Sequence, residues 1–255
     1  DSDGVGKDVN FGKKVLKDNG TVVEDALRTK LGKVDWLFVL AGGGGGTGSA
    51  SGALKDVFAR YLKSVQATGT VVYVVTVPTA QESLLKDVSA LPHIALSNEK
   101  QVQMLRGKVG MLNLYPAANT AFAKMLAQVF KLSSETSPIQ TFDSKDLEKC
   151  LMTKKRMILG TTLVTDPSDS NLGASIFQNC IKRSPCPVPR GRPDTGSILF
   201  VITPEMANDP EISKHIDAAT AYVGGRTKTL FSGVYIKEGL PGLIAIMSMS
   251  GLEWK

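Results

Sequence analysis

Gly42-Gly43-Gly44-Gly45-Gly46-Thr47-Gly48-Ser49 is the stretch on which the fold turns. Ahead of it, Trp36-Leu37-Phe38-Val39-Leu40 is a short continuous apolar run of the kind that forms a fully buried strand. Behind it, Ser51 to Ser64 places Ala53, Leu54, Val57, Ala59, Tyr61 and Leu62 at helical spacing. Strand, glycine loop and helix is the order that aims backbone N–H groups and a helix N-terminus at a phosphate. Glycine suits such a loop because a side chain would block the approach and because tight loops use positive φ. Thr47 and Ser49 add hydroxyl groups. A flexible linker is the competing reading, but linkers rarely separate a buried strand from a helix.

Two common phosphate motifs fit poorly. A Walker loop needs Gly-Lys-Ser/Thr, and no Lys follows these glycines. The dinucleotide pattern G-x-G-x-x-G fits formally at Gly43, Gly45 and Gly48, as it fits almost any glycine run. It also wants an acid about twenty residues on, after the next strand, to hold a ribose. That strand, Thr70 to Val77, runs into Pro78-Thr79-Ala80-Gln81, and Glu82 comes too late. A nicotinamide-dependent oxidoreductase is therefore disfavoured but kept as a rival.

Ala41 to Ser49 resembles the signature loop of the tubulin/FtsZ superfamily of GTPases, whose core is Gly-Gly-Gly-Thr-Gly followed by Ser or Thr. Ala50 departs from the glycine that usually follows. The resemblance implies an α/β fold: a Rossmann-like parallel-sheet GTP-binding domain (1–114), a long central helix (115–132), a catalytic loop with a connecting helix (133–156), and a smaller C-terminal α+β domain (157–255).

Composition is compatible with this. The 255 residues suffice for one large domain or two smaller ones, and 42% hydrophobic with 21% charged content is ordinary for a globular protein. No apolar run approaches a membrane span, and the first residues do not form a signal peptide. The net charge of +6 permits acidic partners such as nucleotides or nucleic acid. Cys150, Cys180 and Cys186 form no C-x-x-C pair, which points to a reducing compartment and buried or incidental thiols. Only His93 and His215 are present, which argues against a His-based metal site. Asp1 is not a start methionine, and the superfamily places two or three strands and another phosphate loop ahead of this point. The resemblance thus implies an N-terminally incomplete member whose 255 residues alone bind nucleotide poorly.

Along the chain, Gly4-Val5-Gly6 matches a Gly-x-Gly that the superfamily holds near the terminal phosphate, while Lys7 is atypical there; a plain surface turn is the alternative. Phe11 to Lys30 predicts two helices interrupted at Asp18-Asn19-Gly20. Thr70 to Val77 is β-branched and apolar on both faces, as in a parallel strand covered by helices. Pro78-Thr79-Ala80-Gln81-Glu82 resembles a ribose-side loop and assigns Glu82 to it. Ser83 to Val88 predicts a short helix, and His93 to Ser97 a short strand ending at Asn98.

Tyr115-Pro116-Ala117-Ala118-Asn119 opens a helix to about Leu132, with Pro116 in its first turn. Ala118, Phe122, Met125 and Val129 form a stripe that Ala121 and Leu126 widen, predicting burial over much of the circumference. Tyr115 and Asn119 share a face, where one can stack on a purine and the other can bond its edge. A core Tyr and a capping Asn are the alternative. The resemblance assigns Asn98, Tyr115 and Asn119 to guanine.

Asp143 is a plausible N-cap with Asp146 in the first turn that follows. The resemblance gives the same Asp-x-x-Asp loop a second role, entering the nucleotide site of the next subunit as its catalytic acids. Thr141 replaces the Asn usual there. From Met157 onward, strands over 157–164, 197–203, 230–236 and 243–249 and helices over 172–182 and 209–223 predict a mixed sheet with two helices. Ser184 to Pro193 is proline-rich and basic, read as a rigid solvated connection or else a partner-binding surface.

In detail the glycine-alanine-rich loop and Phe142-Asp143-x-x-Asp146 look nearest to plasmid and phage proteins of the TubZ type. Such a resemblance implies GTP or GDP on Gly4, Gly6 and Gly44, Gly45, Gly46, Thr47, Gly48 and Ser49, with Mg²⁺ on the phosphates. It implies a cytoplasmic head-to-tail homopolymer without membrane insertion, and a possible DNA-bound adaptor for plasmid or phage DNA segregation. A nucleotide-binding filament protein that does not hydrolyse is the other rival.

Overall fold

The structure, a computed structural model, describes residues 5–78 and 87–254. The chain divides into two compact units, Asp1–Glu99 with Lys154–Arg156, and Lys100–Thr153 with Met157–Lys255.

The first unit is built on three parallel strands, β1 (Leu37–Gly42), β2 (Val71–Val77) and β3 (His93–Ser97), with β2 in the middle. Its register aligns Gly42 with Thr76 and Val77 with Ser97, so the three C-terminal ends lie along one edge. The central strand is the β-branched one, and Val72 to Val75 are buried, as a strand covered on both faces requires. The two helices expected before β1 are α1 (Val9–Asp18) and α2 (Gly20–Leu31). Asp8 caps α1 by accepting from the Phe11 amide at 2.9 Å, and Asn19 closes it by donating to the Val15 carbonyl. After β1 come a single turn, α3 (Gly46–Ser49), a 3₁₀ turn (Ser51–Leu54) and α4 (Lys55–Ser64), which buries Val57, Phe58, Tyr61 and Leu62. The short helix expected over Ser83 to Val88 falls mostly outside the described residues.

One helix was not anticipated: α5 (Asn98–Leu105) follows β3 directly. The second unit continues with α6 (Leu114–Ser133), α7 (Ser144–Met152), β4 (Arg156–Val164), α8 (Leu172–Arg183), β5 (Thr195–Ile202), α9 (Pro204–Ala207), α10 (Pro210–Gly224), β6 (Thr229–Ile236) and β7 (Leu243–Leu252). Its strands run in the order β4-β7-β5-β6. Because β5 is parallel to β6 and antiparallel to β7, this is the mixed sheet that the sequence predicts. Helices α8 and α10 pack together through Phe177 and Tyr222, whose rings meet edge-on at 6.2 Å, and the Arg226 guanidinium lies over the Tyr222 ring.

Two expectations are corrected. Helix α6 buries one stripe, Ala118, Phe122, Met125, Val129 and Leu132, rather than much of its circumference; Ala121 is exposed and Leu126 only half-buried. The opposite face carries Thr120, Lys124 and Lys131, all exposed, with only the small side chains of Ala123 and Ala127 between them, also exposed. The proline-rich connection is not solvated at its start, where Ser184, Pro185, Cys186 and Pro187 are buried. Lys100 holds it down by donating to the carbonyls of Ile181 and Cys186, both at 2.9 Å. Exposure returns at Val188.

Candidate functional site

The Gly42–Ser49 loop leaves the C-terminal end of β1 and turns at once into α3. Its path is fixed by the backbone. The Gly43 amide donates to Thr76 of β2 at 2.7 Å, and the Gly46 amide donates to the Gly6 carbonyl at 3.1 Å, which ties the preceding Gly6 turn to the loop. A Cβ on Gly48 would sit 2.1 Å from the Gly42 carbonyl oxygen, and one on Gly46 would sit 2.8 Å from Val5 and 2.9 Å from the Asp8 carbonyl. Those two positions require glycine for close approach. Gly45 differs, since a Cβ there meets nothing within 4 Å.

The amides of Gly44, Thr47 and Gly48 donate to no acceptor among the described residues, as expected where a chain enters a helix. Gly44, Gly45 and Thr47 are exposed. An anion approaching Gly45 therefore meets open amides, and the site fits a phosphate. Ser49 contributes differently from expectation, because its hydroxyl donates to the Gly43 carbonyl at 2.7 Å and braces the loop. Thr47 keeps its hydroxyl free of any partner among the described residues.

Asn98 stands just past the end of β3, one residue beyond the row that aligns Val77 with Ser97. It lies on the same sheet edge as the glycine loop, and its half-buried carboxamide takes no partner among the described residues. Tyr115 and Asn119, one turn apart on α6, are both exposed, Tyr115 by 51%. Gly4 and Glu82 lie outside the described residues.

Asp143 and Asp146 form a reciprocal capping box on α7. The Asp143 carboxylate accepts from the amides of Lys145 (2.8 Å) and Asp146 (3.0 Å), while Asp146 accepts from the Asp143 amide at 3.4 Å. Asp143 remains exposed and Asp146 is half-buried. The segment before them is zipped to β6: Gln140 bridges Val234, and the buried Tyr235 hydroxyl accepts from the Phe142 amide at 3.0 Å and donates to its carbonyl at 2.9 Å. Burial raises the Tyr235 phenol pKa, so it stays a donor. This clamp was missed in the sequence, where nothing links Tyr235 to a loop 93 residues earlier.

Among the described residues no group of three or more His, Cys, Asp or Glu side chains is placed to hold a metal ion. His93 is buried on β3, where its Nδ1 lies 2.8 Å from the Leu91 carbonyl, and burial pushes its pKa down to about 4.

A glycine loop at the carboxyl edge of parallel strands, a long helix and a mixed-sheet unit together give the chain the tubulin/FtsZ fold, the class that its loop resembles. In sequence it is similar to the tubulin-like protein CetZ of Methanothrix thermoacetophila, with 24% identity over 263 residues, covering 96% of this chain and 68% of that protein. Among solved structures it is similar to a GTPγS-bound protofilament of CetZ2 from Haloferax volcanii (TM-score 0.74, 20% identity, 98% of this chain and 75% of that one). GDP-form protofilaments of TubZ from Bacillus thuringiensis serovar israelensis match with a TM-score of 0.73 at 14% identity, covering 96% of this chain and 73% of that one. TubZ thus stands among the structural relatives, as the sequence reading implied, together with CetZ. No family model matches the chain. Among the described residues no helix is long and apolar enough to cross a membrane.

Proposed function

We propose that the chain is a GTP-binding and GTP-hydrolysing tubulin-like protein that assembles head to tail. The observation that carries this reading is the glycine loop at the C-terminal edge of β1–β3, where the amides of Gly44, Thr47 and Gly48 have no acceptor among the described residues and surround an open Gly45. By Coulombic preference and hydrogen bonding, these groups take phosphate oxygens. Gly4, Gly6 and Glu82 belong to the same nucleotide site. Asn98 and Asn119 bond the guanine edge, and Tyr115 stacks on its face. Magnesium bound through the phosphates supplies charge neutralisation.

Asp143 and Asp146 of one subunit orient the attacking water at the nucleotide of the next. Phosphoryl transfer asks mainly for such positioning. The finer role we propose is plasmid or phage DNA segregation in the cytoplasm through a DNA-bound adaptor. A filament without hydrolysis is the second reading, favoured by one feature: both acids already spend hydrogen bonds on their own helix.

The test is equilibrium binding of GTP and ATP, followed by phosphate release measured beside light scattering. GTP should bind more tightly than ATP, and Asn119→Ala should weaken GTP about tenfold, the equivalent of one lost hydrogen bond. Equal affinity for the two nucleotides sinks the base assignment. Scattering without phosphate release selects the second reading.

A further inference from the structure

The proline-rich connection between α8 and β5 has no part in the nucleotide reading, yet it walls two adjoining hollows of the second unit. One, of ≈ 570 Å³, lies between α5, α8 and Val188. The other, of ≈ 440 Å³, lies between α8, the connection, Arg226 just past α10, and β7. Phe177, Ile181 and Val188 line both, so the hollows meet at these side chains as one trough. Under the second hollow Pro193, Met249 and Leu252 are buried, whereas Val188 is 65% exposed. A lone exposed valine is ordinary, but this one borders two apolar hollows.

The wall is held in place. Lys100 ties it down at Ile181 and Cys186, Arg192 donates to the Thr227 carbonyl at 2.9 Å, and Arg190 bridges Glu253. Pro187, Pro189 and Pro193 fix φ along it. A surface ordered in advance loses little further entropy when something binds.

Its charge is one-sided. From Asn171 to Pro193 the chain carries Lys182, Arg183, Arg190 and Arg192, all exposed, and no acid. Arg226 is exposed at the second hollow, and neither hollow is lined by Asp or Glu. Cations around apolar space select a partner that is acidic and apolar at once. Nucleic acid fits less well, because its bases stack on aromatic faces. Phe177 is the one aromatic residue of the lining, and its ring already meets Tyr222 edge-on, with the Arg226 guanidinium 5.4 Å from its centroid.

We propose that this trough docks a short acidic segment of a partner protein. Aliphatic side chains of the segment fill the two hollows and cover Val188, and its carboxylates face Lys182, Arg190 and Arg192. No residue of the trough belongs to the nucleotide site, so the inference stands apart from the GTP reading.

The probe is a fluorescein-labelled peptide pool with Asp or Glu at alternate positions and Leu, Ile, Val or Met between them, titrated into the intact chain and followed by anisotropy. One control pool replaces the acids by Asn and Gln, and a second replaces the aliphatic residues by Ala. The acidic-aliphatic pool should saturate, and each control pool should bind about tenfold more weakly, the scale of a central interface anchor. Val188→Glu should weaken the first pool by a similar factor with an unchanged urea midpoint, since the side chain is exposed. Lys182→Glu should bind more weakly and lose part of the salt dependence that the parent shows. Lys124→Glu, an exposed charge reversal on α6, should bind as the parent does. The proposal is overturned if the pool fails to saturate, if Lys124→Glu weakens binding as much as Lys182→Glu, or if Val188→Glu leaves the affinity unchanged. It is also overturned if a DNA duplex of random sequence binds more tightly than the pool and displaces it.

Discussion

Gly45 and Gly48 are three residues apart in one loop, and alanine at each should do opposite things. At Gly48 the new Cβ would stand 2.1 Å from the Gly42 oxygen, 2.7 Å from its carbon and 2.9 Å from its nitrogen. These are backbone atoms at the end of β1, paired in register with Thr76, and no flexible side chain is available to yield. Ordinary contact begins more than an ångström further out, so loop and strand must part. Forced overpacking of this kind costs about 1–3 kcal/mol, and the upper half of that range is expected because only main chain can move. At Gly45 the backbone is extended (φ −114°, ψ 161°) and the Cβ meets nothing, so alanine fits without strain. Restricting the unfolded chain should then raise stability by about 0.4–1 kcal/mol. If phosphate approaches the open amides beside Gly45, the same methyl obstructs it. Urea unfolding gives the stability change, and GTP titration gives the binding change. Gly48→Ala should lower the urea midpoint. Gly45→Ala should hold or raise the midpoint yet bind GTP at least tenfold more weakly. A stable Gly45→Ala variant with unaltered GTP affinity would refute the placement of phosphate on this loop, and a neutral Gly48→Ala would refute the packing argument.

Further outcomes follow from the same geometry. Asp143→Ala removes both amide acceptors of the cap and should cost about 0.5–2 kcal/mol in urea unfolding. Asp146→Ala, which loses only the long 3.4 Å partner, should still bind GTP and scatter light as a polymer, but release phosphate far more slowly. Turnover per subunit that persists on dilution far below the assembly threshold rules out catalysis in trans. His93 is held neutral in the fold with its pKa pushed down to about 4 by burial, with the Arg156 charge beside it acting the same way. The unfolded chain takes up that proton first, near pH 6.5. Stability is therefore complete above about pH 6.5 and declines as pH falls towards 4, by at most roughly 1.4 kcal/mol per pH unit. Urea midpoints measured across that window should show this slope in the parent and lose it in His93→Asn; an equal slope in both disproves the assignment.

The strands were legible because their chemistry is local. Val71 to Val77 is almost wholly β-branched and apolar on both faces, and His93 to Ser97 is a short run centred on Ile94, Ala95 and Leu96 that is buried on both faces, as a parallel sheet covered by helices needs. The glycine loop was legible because glycine is the residue that close backbone approach demands, as at Gly46 and Gly48. Helix α5 was missed because Asn98-Glu99-Lys100-Gln101-Val102-Gln103 carries no apolar stripe, although Glu, Lys, Gln, Met and Leu all favour helix. The buried start of the proline-rich connection depends on Lys100, 81 and 86 residues away from the carbonyls that it binds. Tyr235 positions the Asp143 loop across a similar distance. Contacts of that range leave no periodic trace in sequence.

Strand β7 closes the second unit from the inside. It lies between β4 and β5 in the sheet and is the last of the strands along the chain. A ribosome making this protein therefore finishes β4, β5 and β6 while the slot between β4 and β5 is still unfilled. Until Leu243 to Leu252 emerges, two strands present unpaired N–H and C=O groups to whatever is near, including the same segment of another nascent chain. The unit cannot fold progressively as it is synthesised and must wait for one late insertion. A pause in translation between Ile236 and Leu243 is the moment when those open edges are most prone to pair with the wrong partner.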